Sequence, residues 1–196
     1  MIRALFLDRD GLINRMVKYD YGWDSPQKPE DVRLVKDIEK VISWANRNNI
    51  LVVEVSNQPG VAKGKMDQKT ADSIEGQIHK LLEEKNAFID KSYICPHHPD
   101  AVIPELKKNC DCRKPQPGLI LRAAKEMGID LSKSIFFGDN DSDVKAAKSA
   151  GVKSIILLHD ENVSVKVKTA KLAKADFKAV TIQEIFQIIR GYFKLA

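Results

Sequence analysis

No apolar run in the 196 residues approaches the ~20 that a membrane-spanning helix needs, so no membrane partner is expected. Cysteine is scarce as well. Three residues are too few for a disulfide scaffold and point to a reducing, cytoplasmic setting. The chain enters a strand-like pattern almost at its first residue, so no signal peptide is expected. Repeats, low-complexity linkers and composition shifts are all missing, and the length suits one core, so residues 1–196 are expected to form a single domain. Charge imbalance is slight: 32 Lys and Arg against 27 Asp and Glu leave a formal +5. That excess suits a small anionic metabolite, and a lysine-rich solvated face accounts for it equally well. Much of it lies between Lys166 and Lys178, where lysines alternate with Ala and Val, and this stretch reads as the wet face of a late helix.

What is present is an alternation of short apolar runs with helical patterns. Strands are expected at Ala4 to Leu7, Leu51 to Val55, Ser92 to Ile94, Ile135 to Phe137 and Ser154 to Leu158. Ile38, Val41, Ile42 and Ala45 follow helical spacing, as do Ala71, Ile74, Ile78, Leu81 and Leu82. A third helix carries Leu119, Ile120, Ala123, Ala124 and Met127 and closes at Gly128, and a fourth runs from Asp141 to Ala150, ahead of Gly151. Thr181 and Glu184 have capping-box spacing at the start of a last helix. Strand-helix alternation implies parallel strands joined by right-handed crossovers, and the expected fold is an α/β three-layer sandwich around a mainly parallel, Rossmann-like sheet. Two long segments break the rhythm, Leu12 to Asp31 and Pro96 to Lys114. Loops of that length in a compact domain are usually functional or disordered, and both of these adjoin the motif residues.

The first strand stops at Asp8-Arg-Asp10-Gly. Two carboxylates one residue apart lean the same way from a strand and repel, and a divalent cation is the usual remedy. Phe137-Gly-Asp139-Asn140-Asp141 repeats the pattern of a strand ending in acid, placing Asp139 to join Asp8, while Asp141 or Asp143 can cap the next helix. Ser56, Asn57 and Gln58 end another strand with hydroxyl and amide donors, which suit phosphate oxygens or ordinary turn chemistry. Cys95-Pro-His97 and Cys110-Asp-Cys112 supply four soft or borderline ligands in two close pairs, the donor set of a closed tetrahedral zinc site. His98 is adjacent to His97, and side-chain chemistry alone does not choose between them. Arg113 and Lys114 follow at once, so a zinc-stapled loop would hold two cations rigidly toward an anion. A zinc-containing nucleic-acid binding module is the alternative of a different class. No aromatic-basic interleaving surrounds the ligands, so nucleic acid is not expected as a partner.

In order and spacing, Asp8-x-Asp10-Gly, Ser56, Lys114 and Gly138-Asp139 with Asp143 resemble the haloacid dehalogenase (HAD) superfamily of phosphatases. Cys-Pro-His-His-Pro, Cys-x-Cys-Arg-Lys-Pro and Ser-Asn-Gln-x-Gly-Val-Ala-Lys-Gly are similar to its heptose bisphosphate phosphatase branch, with the histidinol-phosphate phosphatases less close. The resemblance implies hydrolysis of a small sugar phosphate by a monomer, the 7-phosphate of a heptose 1,7-bisphosphate first among candidates. In that mechanism Asp8 is the nucleophile and Asp10 the general acid and base, with Ser56 and Lys114 on the phosphoryl group. Mg²⁺ would sit on Asp8, the Asp10 carbonyl and Asp139, and Asn57, Gln58, Arg113 and Asn140 would hold substrate. Structural Zn²⁺ would sit on Cys95, His97, Cys110 and Cys112, its loop standing where other members carry a large cap domain. Leu12 replaces the branch's usual Thr, Asn140 its usual Lys, and Met16 to Tyr19 a more polar stretch. Histidinol phosphate or another metabolite is the alternative substrate, and a degenerate, non-catalytic HAD domain the remaining alternative.

Overall fold

The computed structural model describes residues 2–158 and 174–195. Among the described residues there are eight strands, of which β1 (Ala4–Leu7), β4 (Leu51–Asn57), β5 (Lys91–Cys95), β6 (Ile135–Gly138), β7 (Lys153–Leu157) and β8 (Phe177–Ala179) form one six-stranded sheet. Its order is β5-β4-β1-β6-β7-β8, with every neighbouring pair parallel. Strands buried on both faces need no polar side, which is why they read as continuous apolar runs rather than as alternation. Alternate residues nevertheless serve opposite faces. Leu5 and Leu7 of β1 join Ile135 and Phe137 in one apolar cluster, whereas Ala4 and Phe6 join Phe136 in the other.

Helices cover both sides. α1 (Ile38–Arg47), α2 (Gln68–Glu83) and α5 (Ile182–Leu195) pack Ile42, Ile78 and Ile189 into the first cluster. α3 (Gly118–Met127) and α4 (Asp141–Ser149) pack Ile120 and Ala147 into the second. Gly128, at φ 67°, closes α3 in the left-handed region where a glycine is cheapest. The expected α/β three-layer arrangement is thus what the chain builds, and no large cap domain interrupts it among the described residues.

Two elements differ from the sequence expectation. Val17–Tyr19 (β2) and Gly22–Asp24 (β3) pair as a small antiparallel hairpin inside the segment read as a loop. The end of the Lys166 to Lys178 stretch is no helix: Phe177–Ala179 is the edge strand β8, paired with β7 from Ile155↔Phe177 to Leu157↔Ala179. Three residues are too short to display a strand period, and the gain comes from closing the open edge of β7, a tertiary reward. The rest of that helix reading, 166–173, lies outside the described residues.

Topology fixes where chemistry can occur. From β1 the chain winds to β4 and β5 on one side, then returns to build β6, β7 and β8 on the other. Winding therefore reverses between β1 and β6, and the carboxyl ends at such a switch point frame an open crevice. Asp8 and Asp139 stand directly after those two strands.

Candidate active site

A cleft of about 450 Å³ opens at the switch point, and Asp8, Asp10, Ser56, Asn57, Gln58, Arg113, Lys114, Asp139 and Asn140 all line it. Every residue that the sequence reading assigned to catalysis, substrate or magnesium therefore meets in one place. At its centre Lys114 Nζ lies 2.8 Å from Asp8 Oδ1 and 2.8 Å from Asp143 Oδ1, and donates to the Val55 carbonyl at 2.7 Å. The Arg9 backbone N–H donates to the same Asp8 oxygen at 2.7 Å. Gly138 makes this closeness possible: a Cβ there would sit 2.4 Å from Asp143 Cβ, so any larger residue would push α4 off the end of β6. Asp143 also accepts the Asn140 N–H at 2.9 Å, closing the capping box of α4. It is thus both the helix cap expected from sequence and a partner of the buried lysine.

The electrostatics follow from burial. Burial and the Asp143 charge push the Asp8 carboxyl up to about 6, against the pull of Lys114. Burial raises Asp143 as well, with Lys114 opposing and Asp139 assisting. For Lys114 burial disfavours the cation, but Asp143 and Asp8 outweigh it and hold the ammonium charged. Asp8, Asp139 and Asp143 each bring one carboxylate oxygen within 4.8 Å of the others. Three acids facing one lysine leave negative charge in excess, and hard oxygen donors at that spacing fit a magnesium ion.

Asp10 has different surroundings. Its carboxylate accepts from Asn14 Nδ2 at 2.9 Å, Ser25 Oγ at 2.9 Å, Gln58 Nε2 at 2.5 Å and Arg9 at 3.2 Å. Burial works to raise its pKa, but Arg9 and these donors overcome it and hold it below the ordinary carboxylate value. Gly11, at φ 88°, makes the turn that lets the chain fold back so that Asn14 reaches Asp10.

The remaining candidates have more particular placements. Ser56 Oγ accepts from Gln58 Nε2 at 2.7 Å. Asn57 clamps the cation loop to β4: its amide donates to the Lys114 carbonyl at 3.0 Å and accepts the Lys114 N–H at 2.9 Å. Arg113 donates to the His97 carbonyl at 3.1 Å. Leu12, where the branch carries Thr, is wholly buried in the core. Sequence reasoning missed Asn14, Ser25, Gln27, Lys63 and Lys65, which line the cleft or hold Asp10. Ser25 and Gln27 enter because the hairpin turns the Leu12 to Asp31 segment over the cleft, and Lys65 meets Asp24 of that hairpin. Only the length of that loop signalled it.

Beside the cleft, Cys95, His97, Cys110 and Cys112 converge. Sulfur–sulfur separations are 3.1–3.5 Å, and His97 Nδ1 lies 3.3 Å from Cys112 Sγ. His97 is the histidine in the cluster, while His98 accepts the Asp100 N–H outside it. Burial pushes the Cys112 and Cys95 thiols up; for Cys110 the hydrogen bonds from its two partners overcome burial and favour the thiolate. Three sulfurs and one imidazole packed together, with no fifth donor among the described residues, fit a closed zinc site.

Comparison with known proteins agrees with this geometry. A profile of the HAD-hydrolase-like family matches residues 111–184. The D-glycero-beta-D-manno-heptose-1,7-bisphosphate 7-phosphatase of Photorhabdus laumondii is 35% identical over 157 residues, 80% of this chain and 80% of its own. The Escherichia coli K12 protein of the same name is 31% identical, covering 80% of this chain and 79% of its own. Among solved structures, D,D-heptose 1,7-bisphosphate phosphatase from B. bronchiseptica, complexed with magnesium and phosphate, superposes with a TM-score of 0.80 at 24% identity, covering 97% of this chain and 99% of that one.

Proposed function

The chain belongs to the heptose-1,7-bisphosphate 7-phosphatase family of HAD phosphatases, and from that premise we propose that it hydrolyses the 7-phosphate of D-glycero-D-manno-heptose 1,7-bisphosphate. The observation that carries the reading is the buried Lys114 ammonium bonded at 2.8 Å to Asp8, with Asp139 and Asp143 gathered around it at the sheet's switch point. An ion pair so placed keeps a carboxylate oriented toward the cleft, as a nucleophile must be.

Asp8 attacks phosphorus: a new Oδ–P bond forms as the bond to the sugar oxygen breaks, leaving an aspartyl phosphate. Asp10 gives its proton to the departing oxygen, then takes one from the water that attacks phosphorus and frees Asp8. Its resting state is the carboxylate, and the dianionic phosphate beside it favours uptake of the proton it must donate. Ser56 and Lys114 face the transferring group, and Arg113, Asn140 and the Gln58 amide face the remainder of the ligand. Asp8 and Asp139 with the Asp10 carbonyl would hold Mg²⁺, which when bound offsets carboxylate charge and stabilises charge on the phosphoryl oxygens. Zn²⁺ on the Cys₃His cluster would be structural, fixing the loop that carries Arg113 and Lys114. The same reading takes a small sugar phosphate as the partner and a cytoplasmic monomer as the working form. Three free thiols in one cluster support a reducing compartment.

The deciding experiment measures phosphate release with Mg²⁺ over both heptose 1,7-bisphosphate anomers, histidinol phosphate and common sugar phosphates, with Asp8→Asn as the blank. Relatives from Photorhabdus named for the beta and the alpha anomer are each 35% identical to this chain, so identity does not select the anomer. Strong preference for one heptose anomer is expected. Preference for histidinol phosphate would move the chain to the neighbouring specificity, and no phosphate release from any ester would overturn the reading.

A further inference from the structure

Behind Asp10 lies a buried charge cluster that makes and breaks no bonds in the reaction. Arg9 separates the two catalytic aspartates in sequence, yet its side chain is buried, leaving the residue 4% exposed. Its guanidinium meets three groups: Asp10 Oδ2 at 3.2 Å, Gln58 Oε1 at 2.5 Å and Glu75 Oε2 at 3.1 Å. Gln58 itself donates to Asp10 Oδ2 at 2.5 Å. One cation therefore holds the Asp10 carboxylate twice, once directly and once through an amide. The planar, multi-donor fork suits this task as a lysine point charge would not.

Glu75 ties that fork to the scaffold. It lies on α2, remote in sequence from the catalytic loops, and accepts from Ser92 Oγ at 2.8 Å while His79, one turn on, lies 3.1 Å away. Glu54, wholly buried on β4, sits behind it and faces the same serine at 3.1 Å. The two carboxyls each bring an oxygen within 4.8 Å of the other, close enough for their charges to repel. Burial and the neighbouring Glu75 push Glu54 well above the ordinary carboxylate value, whereas His79 and the Arg9 charge overcome burial at Glu75 and leave it ionised for Arg9. Replacing a buried ionic network with apolar side chains is often neutral or stabilising, so stability is a weak reason for this one to exist. Its contacts end on the proton donor, which points to orientation.

We propose that Arg9 and Glu75 are positioning residues: Glu75 anchors the Arg9 guanidinium to α2, and Arg9 holds Asp10 and Gln58 in the geometry from which Asp10 protonates the leaving oxygen. The inference rests on the phosphatase reading above. It has a signature that a merely structural role lacks, because only a poor leaving group needs the proton. A sugar alkoxide does; p-nitrophenolate departs without it.

Glu75→Gln keeps the shape and removes the charge. On heptose bisphosphate its kcat/KM, which ends at departure of the leaving group and so excludes hydrolysis of the aspartyl phosphate, is expected to fall roughly tenfold or more, while kcat/KM on p-nitrophenyl phosphate stays within about twofold. Glu75→Asp, which restores the charge, recovers part of the sugar-ester rate. Equal losses on both esters, or no loss on either, overturn the proposal. Should Glu75→Gln fail to fold, Arg9→Lys carries the same comparison, since it keeps the buried charge but cannot reach all three partners. Wild-type protein, blanked with Asp8→Asn, separates the two readings. No phosphate release by wild type sinks the phosphatase assignment, whereas an active wild type whose variants show no leaving-group split sinks only the positioning role.

Discussion

A single oxygen-to-nitrogen exchange at Asp8 tests both the chemistry and the electrostatics of the site. Asp8→Asn removes the nucleophile, so phosphate release should fall to background. Stability should move the other way. In the fold this carboxyl titrates near 6 rather than at its ordinary 3.8, because burial and Asp143 disfavour its charge. Between those values the native state holds a proton that the unfolded chain has released, so this group's contribution to stability falls as pH rises through the window. Above it, the ionised Asp8 costs the fold roughly 3 kcal/mol. With chelator present, Asp8→Asn should therefore melt about 6–12 °C above wild type near pH 8, the gap closing as pH falls toward 4. Thermal melts of both proteins across that range check it, and a variant less stable than wild type near pH 8 would contradict the assigned cost. Asp8, Asp10 and Asp139 were legible as cleft residues because acids at the carboxyl ends of strands stand where an open α/β sheet frames its crevice. Asn14, Ser25 and Glu75 were not, since an amide, a hydroxyl and a helix-face carboxylate carry no mark of function until folding aims them at Asp10 and Arg9.

At the scale of elements, the Cys95–Cys112 segment is the one whose job can be removed by itself. Its Cys/His pairs were readable from spacing, and folding settled only which histidine joins them. Cys110→Ser takes away the thiol that most favours the thiolate, so bound zinc should be lost. Arg113 is held by the His97 carbonyl and Lys114 by Asn57, so a loosened loop misplaces both cations and kcat should drop about 10- to 100-fold. Zinc content and phosphate release measured on one preparation decide it, and full activity without zinc would refute the staple. Because the thiols must lose protons to bind metal, zinc occupancy should weaken as pH falls. The elements that stayed hidden, the β2–β3 hairpin and β8, are each made of three-residue strands. Strands so short show no period of two, and their stability comes from partners: β7 for β8, and a cross-strand mate for each hairpin strand.

Among the described residues, one six-stranded parallel sheet carries an apolar layer on each face, and the layers communicate through shared strands. Phe136 shows how. It stacks on Phe6 at 6.4 Å in the α3–α4 layer, while its neighbours Ile135 and Phe137 serve the α1–α2–α5 layer. Lys114 Nζ lies 5.5 Å from the Phe136 ring centroid, so the core beneath the active site also supports its buried cation. Strand-helix alternation made this architecture readable, since both-face burial leaves apolar runs that only a covered parallel sheet can use. Phe136→Ala opens a cavity in one layer and should cost about 3–5 kcal/mol. If the chain is one cooperative unit, that loss appears on both faces at once. Trp44 packs against Phe186 and Phe193 in the opposite layer, and a Trp23→Phe background leaves it the sole tryptophan reporter. Denaturant unfolding followed by Trp44 fluorescence and by zinc release, which sits on the α3 side, should then give coincident midpoints that shift together in Phe136→Ala. Separation of the two transitions would mean that the sheet does not couple its faces, and that residues 1–196 do not fold as a single domain.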